Sequence, residues 1–124
     1  MDLFQQMINY LFGYSDGLLH LLIAAVMIDY ITGVCVAIYE KKLSSNIGFR
    51  GIVKKIAIFC LVSLSHTIDH VLLHDEAALR TITTIFYISN ECISVFENIG
   101  RLNLPLPDKL KNVLTHLDKY RKAK

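Results

Sequence analysis

The sequence predicts an all-α membrane protein: three transmembrane helices, an N-terminal amphipathic helix at the membrane interface and a basic cytoplasmic C-terminal helix. The first observation is a set of three apolar runs, at residues 18–39, 56–73 and 82–99 of a 124-residue chain that is long enough for one domain. A bilayer core about 30 Å thick needs roughly 20 helical residues. The first run is long enough alone, and the other two reach this length with their flanks, as residues 54–74 and 81–100.

The second observation is the uneven distribution of the 13 lysine and arginine residues. The segment before the first run has none, the next connection has five, the third has only Arg80, and the segment after the last run has seven. Cytoplasmic loops of membrane proteins collect positive charge, so this alternation predicts an N-terminus outside the cytoplasmic membrane and a C-terminus in the cytoplasm. A soluble three-helix bundle has no reason to alternate in this way.

The N-terminal segment, residues 1–13, is predicted to be an amphipathic helix. Its apolar side chains recur at helical spacing, with polar residues on the opposite face. Since it is too short to span a bilayer, it suits the membrane interface. A helix that packs on the bundle fits the same pattern equally well.

The connections and the C-terminal segment follow from turn formers, prolines and charge. Residues 39–51 are predicted to be a basic loop because they are rich in serine, asparagine and glycine. Lys54 and Lys55 would then open the second span and extend toward the cytoplasmic headgroups. The prolines of LPLP, residues 104–107, end the third span. Residues 108–124 form a basic amphipathic helix that is expected to contact anionic lipids or project into the cytoplasm.

Each predicted span has a polar or small-residue face. In the first span, Ala25, Gly33 and Ala37 lie at four-residue or eight-residue spacing with Asp29 between them, and small residues let another helix approach closely. The residues predicted to line a pore or to be polar within the membrane are Asp29, His66, Asp69, His70, Asn90, Glu91, Ser94 and Glu97.

Ionisable groups in the spans are costly to expose to lipid, by about 2.5–3.5 kcal/mol each near the bilayer centre. The topology places Asp29, His66 and Glu91 in one middle layer. No basic side chain other than His66 is expected near these two acids, which favours contact with water or with another subunit. For the other charged residues, an alternative is that they form ion pairs that stabilise a single copy. These pairs would be His20 with Asp69, and Lys55 with Glu97.

The stretch HTIDH, residues 66–70, has the spacing of a zinc-protease motif with aspartate in place of glutamate. A catalytic zinc also needs a third ligand, an open position and a general base. The polar face of a helix explains the stretch better, so no metal and no cofactor are predicted. Cys35, Cys60 and Cys92 occur one per span and are expected to pack as small residues.

In the order and spacing of several motifs, the chain resembles the toxin-secretion/phage-lysis holin family of Gram-positive bacteria and their phages. The resemblance runs from about residue 29 to residue 110 and rests on DYITG, KKLSSNIGFRGIVKK, Asp69, FYISNECISVFEN and LPLP. It implies a small protein of the bacterial cytoplasmic membrane that assembles into large homo-oligomeric lesions. Such lesions let an endolysin, or in some clostridia a toxin, cross the membrane without a required direct contact.

Two other functions remain open from the sequence. A small ion or proton channel, or a transporter subunit, would use Asp29, His66 and Glu91 as a relay. A soluble helical interaction protein would pack the three runs into a core. An enzyme is least expected, since no nucleophile–base pair or complete metal set is visible, and no nucleic-acid partner is predicted.

Overall fold

The computed structural model describes residues 2–13, 16–74 and 76–122, and within them the chain forms five α-helices. These helices are α1 (Leu3–Phe12), α2 (Gly17–Tyr39), α3 (Ser45–Leu72), α4 (Ala78–Arg101) and α5 (Asp108–Lys122). The prediction of an all-α chain is confirmed. Residue 1 of the predicted N-terminal helix and residues 123–124 of the predicted C-terminal helix lie outside the described residues.

The helix α2 is the one helix of the described chain that is both long and apolar enough to cross a membrane, with a mean hydropathy of 2.3 over its most apolar window. The helices α3 and α4 have 28 and 24 residues, so their length would suffice. They carry more polar and charged side chains than α2 does. The three-span topology therefore stays a prediction.

The helix α4 is at the centre of the bundle. It contacts α2, α3 and α5, with its largest interface on α2, whereas α1 packs on α3. The core consists of Leu22 and Val26 of α2, Ile58 and Val62 of α3, and Ile88 of α4. Close packing of this kind is what holds helices together where lipid removes the hydrophobic driving force.

The helix α1 is attached to the end of the bundle at which α2 and α4 begin. It begins at an Asp2 cap, whose Oδ1 accepts the Gln5 N–H at 2.8 Å. It ends at Gly13, whose φ of 88° favours glycine. The Phe12 ring meets Phe59 of α3 edge-on, with centroids 6.3 Å apart. This is the packed arrangement that the sequence left open, although Leu3, Phe4, Met7, Tyr10 and Leu11 of α1 stay exposed.

The connection between α2 and α3 is shorter than predicted. Residues 45–51, predicted to belong to the loop, form the first turns of α3. Ser44 caps them, since its Oγ accepts the Ile47 N–H at 3.2 Å. Glycine disfavours a helix interior by about 1 kcal/mol relative to alanine. Here Gly48 makes room for α2, because a Cβ at this position would lie 3.3 Å from the Tyr30 hydroxyl oxygen.

The end of α4 matches the prediction. The helix ends at Arg101, and the two prolines of residues 104–107 separate it from α5. Asn103 adopts a positive φ of 63° in this connection. The cysteines of α2, α3 and α4 are free thiols, with Cys92 packed against the core.

Candidate functional site

An ion-paired cluster joins α2, α3 and α4 near the middle of the bundle. The Lys55 Nζ donates to Asp29 Oδ2 at 2.7 Å and to Glu91 Oε2 at 2.9 Å. The Asn98 Nδ2 donates to Asp29 Oδ1 at 3.1 Å and to Thr32 Oγ1 at 2.9 Å. The side chains of Asp29, Lys55 and Glu91 are only 12%, 17% and 8% exposed. We refer to these three residues as the central triad.

The expectation that Asp29 and Glu91 lack a basic partner other than His66 is wrong. The prediction placed Lys55 at the inner end of a helix that began at residue 54. The helix α3 instead begins at Ser45, so Lys55 lies well inside it, at the depth of both acids. The alternative pair of Lys55 with Glu97 is wrong for the same reason, and Glu97 is exposed on α4.

Two carboxylates share one ammonium in the central triad, so its net charge is −1 when all three groups are ionised. Ion pairs shielded from water interact more strongly than those at a wet surface. The two acids would repel each other without the cation between them. Removing one partner of a buried pair typically costs about 3–5 kcal/mol, because the remaining charge is left uncompensated. Lys55 therefore stabilises one copy of the chain.

Two grooves reach the central triad. A groove of about 230 Å³ is lined by Asp29, Gly33, Ala37, Gly48, Lys55, Ser94 and neighbouring residues of α2, α3 and α4. A second groove, of about 410 Å³, lies between α3 and α4 and is lined by Lys54, Ala57, Leu61, Asn90, Glu91, Ser94 and their neighbours. The Asn90 Oδ1 is buried there with no hydrogen-bond partner among the described residues. These grooves bring the triad, Asn90 and Ser94 together.

The small residues of α2 are used within one copy. Ala25 is buried, and a Cβ added to Gly33 would lie 3.8 Å from the Asn98 Nδ2 of α4. Ala37 lines the groove of about 230 Å³. Close approach of α2 and α4 accounts for the spacing of these residues, and a further role between copies stays a prediction.

A second polar cluster lies at the end of the bundle at which α2 and α4 begin. Arg80, which is 1% exposed, donates through Nη1 and Nη2 to the two carboxylate oxygens of Asp16, at 3.0 and 3.2 Å. Its Nε donates to the carbonyl oxygen of Phe12. The carboxylate of Asp69 accepts the backbone N–H groups of Leu79 and Arg80, at 3.0 and 2.8 Å. This cluster connects α1, α2, α3 and α4 at one point.

Asp69 acts as the N-terminal cap of α4, although it belongs to α3. The cap position of α4 is Ala77, which has no side-chain acceptor. Both oxygens of Asp69 accept hydrogen bonds from the backbone of α4, and the predicted pair with His20 stays a prediction. An alanine where α4 begins was the available signal that an acceptor must come from elsewhere in the fold.

The pKa of Asp16 reflects two opposing effects. Burial raises the pKa of this carboxyl group, but the hydrogen bonds from Arg80 and from the Leu19 N–H outweigh burial. The net pKa is below the ordinary value of 3.8. Asp16 is therefore a stably ionised partner for Arg80 at neutral pH.

The two histidines of HTIDH belong to the contact between α1 and α3. The rings of His66 and His70 are stacked, with centroids 6.2 Å apart. They line a groove of about 460 Å³ with residues of α1, and a Cβ on Gly13 would lie 2.9 Å from the His66 Nδ1. The predicted middle layer of Asp29, His66 and Glu91 is therefore wrong for His66, which lies near α1. No group of three potential metal ligands occurs within residues 2–13, 16–74 and 76–122.

The described residues form a polar centre with two grooves. Comparison with known proteins shows the family to which the chain belongs. Residues 6–119 match the bacteriophage holin family. An uncharacterised protein of Listeria monocytogenes is 40% identical over 93% of this chain and 81% of its own length. A 14.9 kDa protein of Clostridium perfringens is 39% identical over 89% of this chain and 83% of its own length.

A further relative carries a functional name. A probable holin of Bacillus phage phi105 is 35% identical over 79% of this chain and 71% of its own length. No solved structure matches the chain. The resemblance seen in the sequence is confirmed, and it extends beyond the motifs on which it was based. The chain belongs to the bacteriophage holin family, whose members are membrane proteins without enzymatic activity.

Proposed function

We propose that this chain is a holin that assembles in the cytoplasmic membrane into homo-oligomeric lesions, through which an endolysin or a toxin crosses. Family membership and the phi105 relative support this function. The observation that carries it is the central triad, in which α2, α3 and α4 each contribute one charged side chain at a shared depth. These charges are paired with one another, which is compatible with insertion, and they supply a polar centre for an assembled lesion.

The proposed topology has α2, α3 and α4 as the three spans, with the N-terminus outside. The alternation of lysine and arginine between connections supports this orientation. Charged groups in spans rarely face lipid and usually pair within the bundle. Because Lys55 pairs with both acids in one copy, the chain can insert and accumulate before any lesion forms.

The lesion is proposed to form when many copies turn their polar faces toward water. One copy is a packed bundle whose core side chains fill its centre, so it cannot enclose a wide pore by itself. The groove between α3 and α4, with Asn90, Glu91 and Ser94, is the surface that would meet water. Lipid would cover the exposed apolar side chains of α2 and α3, among them Met27, Ile28, Ile31, Ile56 and Leu64.

The terminal helices are proposed to lie at the two membrane surfaces. The exposed apolar face of α1 carries no lysine or arginine and suits the outer interface. The helix α5 carries several lysines beside exposed Leu110 and Val113. Anionic lipids of the inner leaflet attract such a basic amphipathic helix.

The test is inducible expression of the chain in a bacterium, with and without a co-expressed endolysin. Membrane potential and culture turbidity are followed together. We expect an abrupt loss of potential in both cultures and a fall in turbidity only where the endolysin is present. A matched control expresses the endolysin alone. A graded, ion-selective current without endolysin release would instead favour the small channel or transporter that the sequence left open.

Fractionation without detergent is a second, cheaper measurement. The proposed function requires the chain in the membrane pellet. Recovery in the soluble fraction would overturn it and favour the helical interaction protein.

A further inference from the structure

Three charged residues of α3 and α4 have no ion pair or hydrogen bond among the described residues. Arg50 and Lys54 lie on α3, Glu97 lies on α4, and all three side chains are exposed. The charged residues of the central triad, by contrast, are all bound within one copy. Lys54 and Glu97 lie on predicted spans, where an unpaired charge requires a partner or water, and Arg50 lies in the first turns of α3, before the predicted span.

The central triad sets the register between α3 and α4. The two helices run antiparallel, since Ser65 contacts Thr83 at 2.9 Å near the outer end, while Lys55 contacts Glu91 further in. With a rise of 1.5 Å per residue, a residue five or six positions from the triad lies about 7.5–9 Å from it. Arg50 is five positions to the inner side of Lys55, and Glu97 is six positions to the inner side of Glu91. The two unpaired side chains therefore lie at nearly the same depth.

Depth decides which groups can meet between neighbouring copies. Copies of one membrane protein insert in the same orientation, so a side chain can reach only groups at its own depth in the next copy. An unpaired cation on α3 and an unpaired acid on α4 at equal depth are complementary across such a contact.

A second observation points to the same two helices. Within the part of the chain that the structure describes, the Asn90 Oδ1 is a buried acceptor without a hydrogen-bond donor, and with Lys54 it lines the groove between α3 and α4. Asn90 and Lys54 each lie one residue from a member of the central triad, so their depths differ by only about 3 Å. An ammonium group from a neighbouring copy that enters the groove would supply the missing donor.

We propose that α3 of one copy packs beside α4 of the next, with Arg50 of the first paired to Glu97 of the second. This inference rests on the proposed function, because it names the contact by which the holin assembles. The contact joins two different surfaces, so each added copy leaves one α3 face and one α4 face open. Such an interface lets an assembly grow to many copies without a fixed number.

The test uses charge reversal in the full chain, with crosslinking of membranes and lysis time as the measurements. Arg50→Glu places an acid against Glu97 of the neighbour, and Glu97→Lys places a cation against Arg50. We expect each variant to reduce the crosslinked oligomer at least several-fold and to delay lysis. The double variant keeps opposite charges at the two positions and should recover most of both.

Co-expression of the two single variants separates contact between copies from contact within one copy. In an alternating assembly, the acid introduced at position 50 faces the lysine introduced at position 97. The unchanged Glu97 and Arg50 also face each other. We therefore expect the mixture to form oligomers when neither variant does so alone. Recovery in the double variant without recovery in the mixture would place the pair within one copy and overturn the inference.

Two controls address insertion and charge. Lys42→Glu reverses a charge in the connection between α2 and α3, at an exposed position outside the contact, and it should form oligomers as the wild type does. If a reversal variant fails to insert, Arg50→Gln and Glu97→Gln replace the reversals. Each should weaken assembly, and the two together should be no worse than either alone. A fully additive loss would contradict the pairing.

The outcome also separates this inference from the proposed function. A wild-type chain that neither forms oligomers nor releases the endolysin overturns the proposed function itself. A wild-type chain that lyses cells on the same schedule as both reversal variants overturns only the pairing of Arg50 with Glu97.

Discussion

The carboxylate of Asp69, in the last turns of α3, accepts the backbone N–H of Arg80 in the first turn of α4 at 2.8 Å. The second oxygen accepts the Leu79 N–H at 3.0 Å. Free N–H groups at a helix start need an acceptor, and here it comes from the preceding helix. The side chain of Arg80 then binds Asp16 and Phe12. One carboxylate thus fixes the start of α4 and, through Arg80, the junction of α1 and α2.

Asp69→Ala is expected to destabilise the bundle by about 0.5–2 kcal/mol, the range for losing an N-terminal cap. Asp69→Asn keeps one acceptor and should lose less. Thermal unfolding in detergent measures both. Thr67→Ala is the matched control, because Thr67 is exposed on the same helix and, among the described residues, its hydroxyl donates only to the Ser63 carbonyl oxygen of that helix. Equal melting temperatures for Asp69→Ala and Thr67→Ala would show that the cap is dispensable.

The ion pair of Asp16 and Arg80 predicts that the stability of the fold decreases at acidic pH. Because the pKa of Asp16 is lowered in the folded chain, its contribution to stability is complete above the unfolded pKa, near 3.8. The contribution is lost as the pH falls through the lower folded value. Unfolding in detergent should therefore become easier below about pH 4 in the wild type. The loss of stability below about pH 4 should be smaller in Asp16→Asn. An equal loss in the wild type and the variant would show that other carboxyl groups cause it.

Local sequence patterns predicted where the helices lie better than they predicted the contacts between helices. The apolar run of residues 18–39 and the prolines of residues 104–107 located α2 and the end of α4 closely. The start of α3 was missed because glycine and serine are typical of turns. At Gly48 the deciding factor is the Tyr30 hydroxyl group from another helix. No local pattern contains that contact.

The missed start of α3 also explains the missed partner of the two acids. Moving the helix start from residue 54 to Ser45 carries Lys55 from a membrane surface to the centre of the bundle. The predicted set of polar residues did include Asp29 and Glu91, since their spacing is visible in the sequence. Which cation joins them depends on the relative depth of three helices, and this follows only from tertiary packing.

The proposed topology predicts which positions are accessible from each side of the membrane. On a cysteine-free background, Glu76→Cys should react with a membrane-impermeant thiol reagent added to intact cells. Ser45→Cys and Asn112→Cys should react only after permeabilisation, since they lie at the starts of α3 and α5. All three positions are exposed, so burial does not limit labelling. Labelling of Ser45→Cys in intact cells would contradict an N-terminus outside.

Removing the cation of the central triad should be more harmful than removing a neighbouring one. Lys55→Met keeps the length of the side chain but leaves Asp29 and Glu91 without a cation, at a cost of about 3–5 kcal/mol. Lys54→Met changes the adjacent, exposed position and should leave the stability of the monomer in detergent unchanged. Unfolding of the two variants, compared at one detergent concentration, measures the difference. Similar stability of the two variants would mean that Lys55 contributes little to stability through Asp29 and Glu91.

The two acids of the central triad are expected to substitute for each other, which makes their joint removal the decisive experiment. Asp29→Asn leaves Glu91 to neutralise Lys55, and Glu91→Gln leaves Asp29, so each single variant should insert, with a modest change in lysis time. The double variant leaves Lys55 as an uncompensated charge among the spans, so its loss should exceed the sum of the single effects. Adding Lys55→Met to the double variant removes the uncompensated positive charge and should restore insertion. It should not restore wild-type lysis timing if ionised groups are needed to hold water in the lesion. Timely lysis by this uncharged triple variant would show that the triad only packs the bundle.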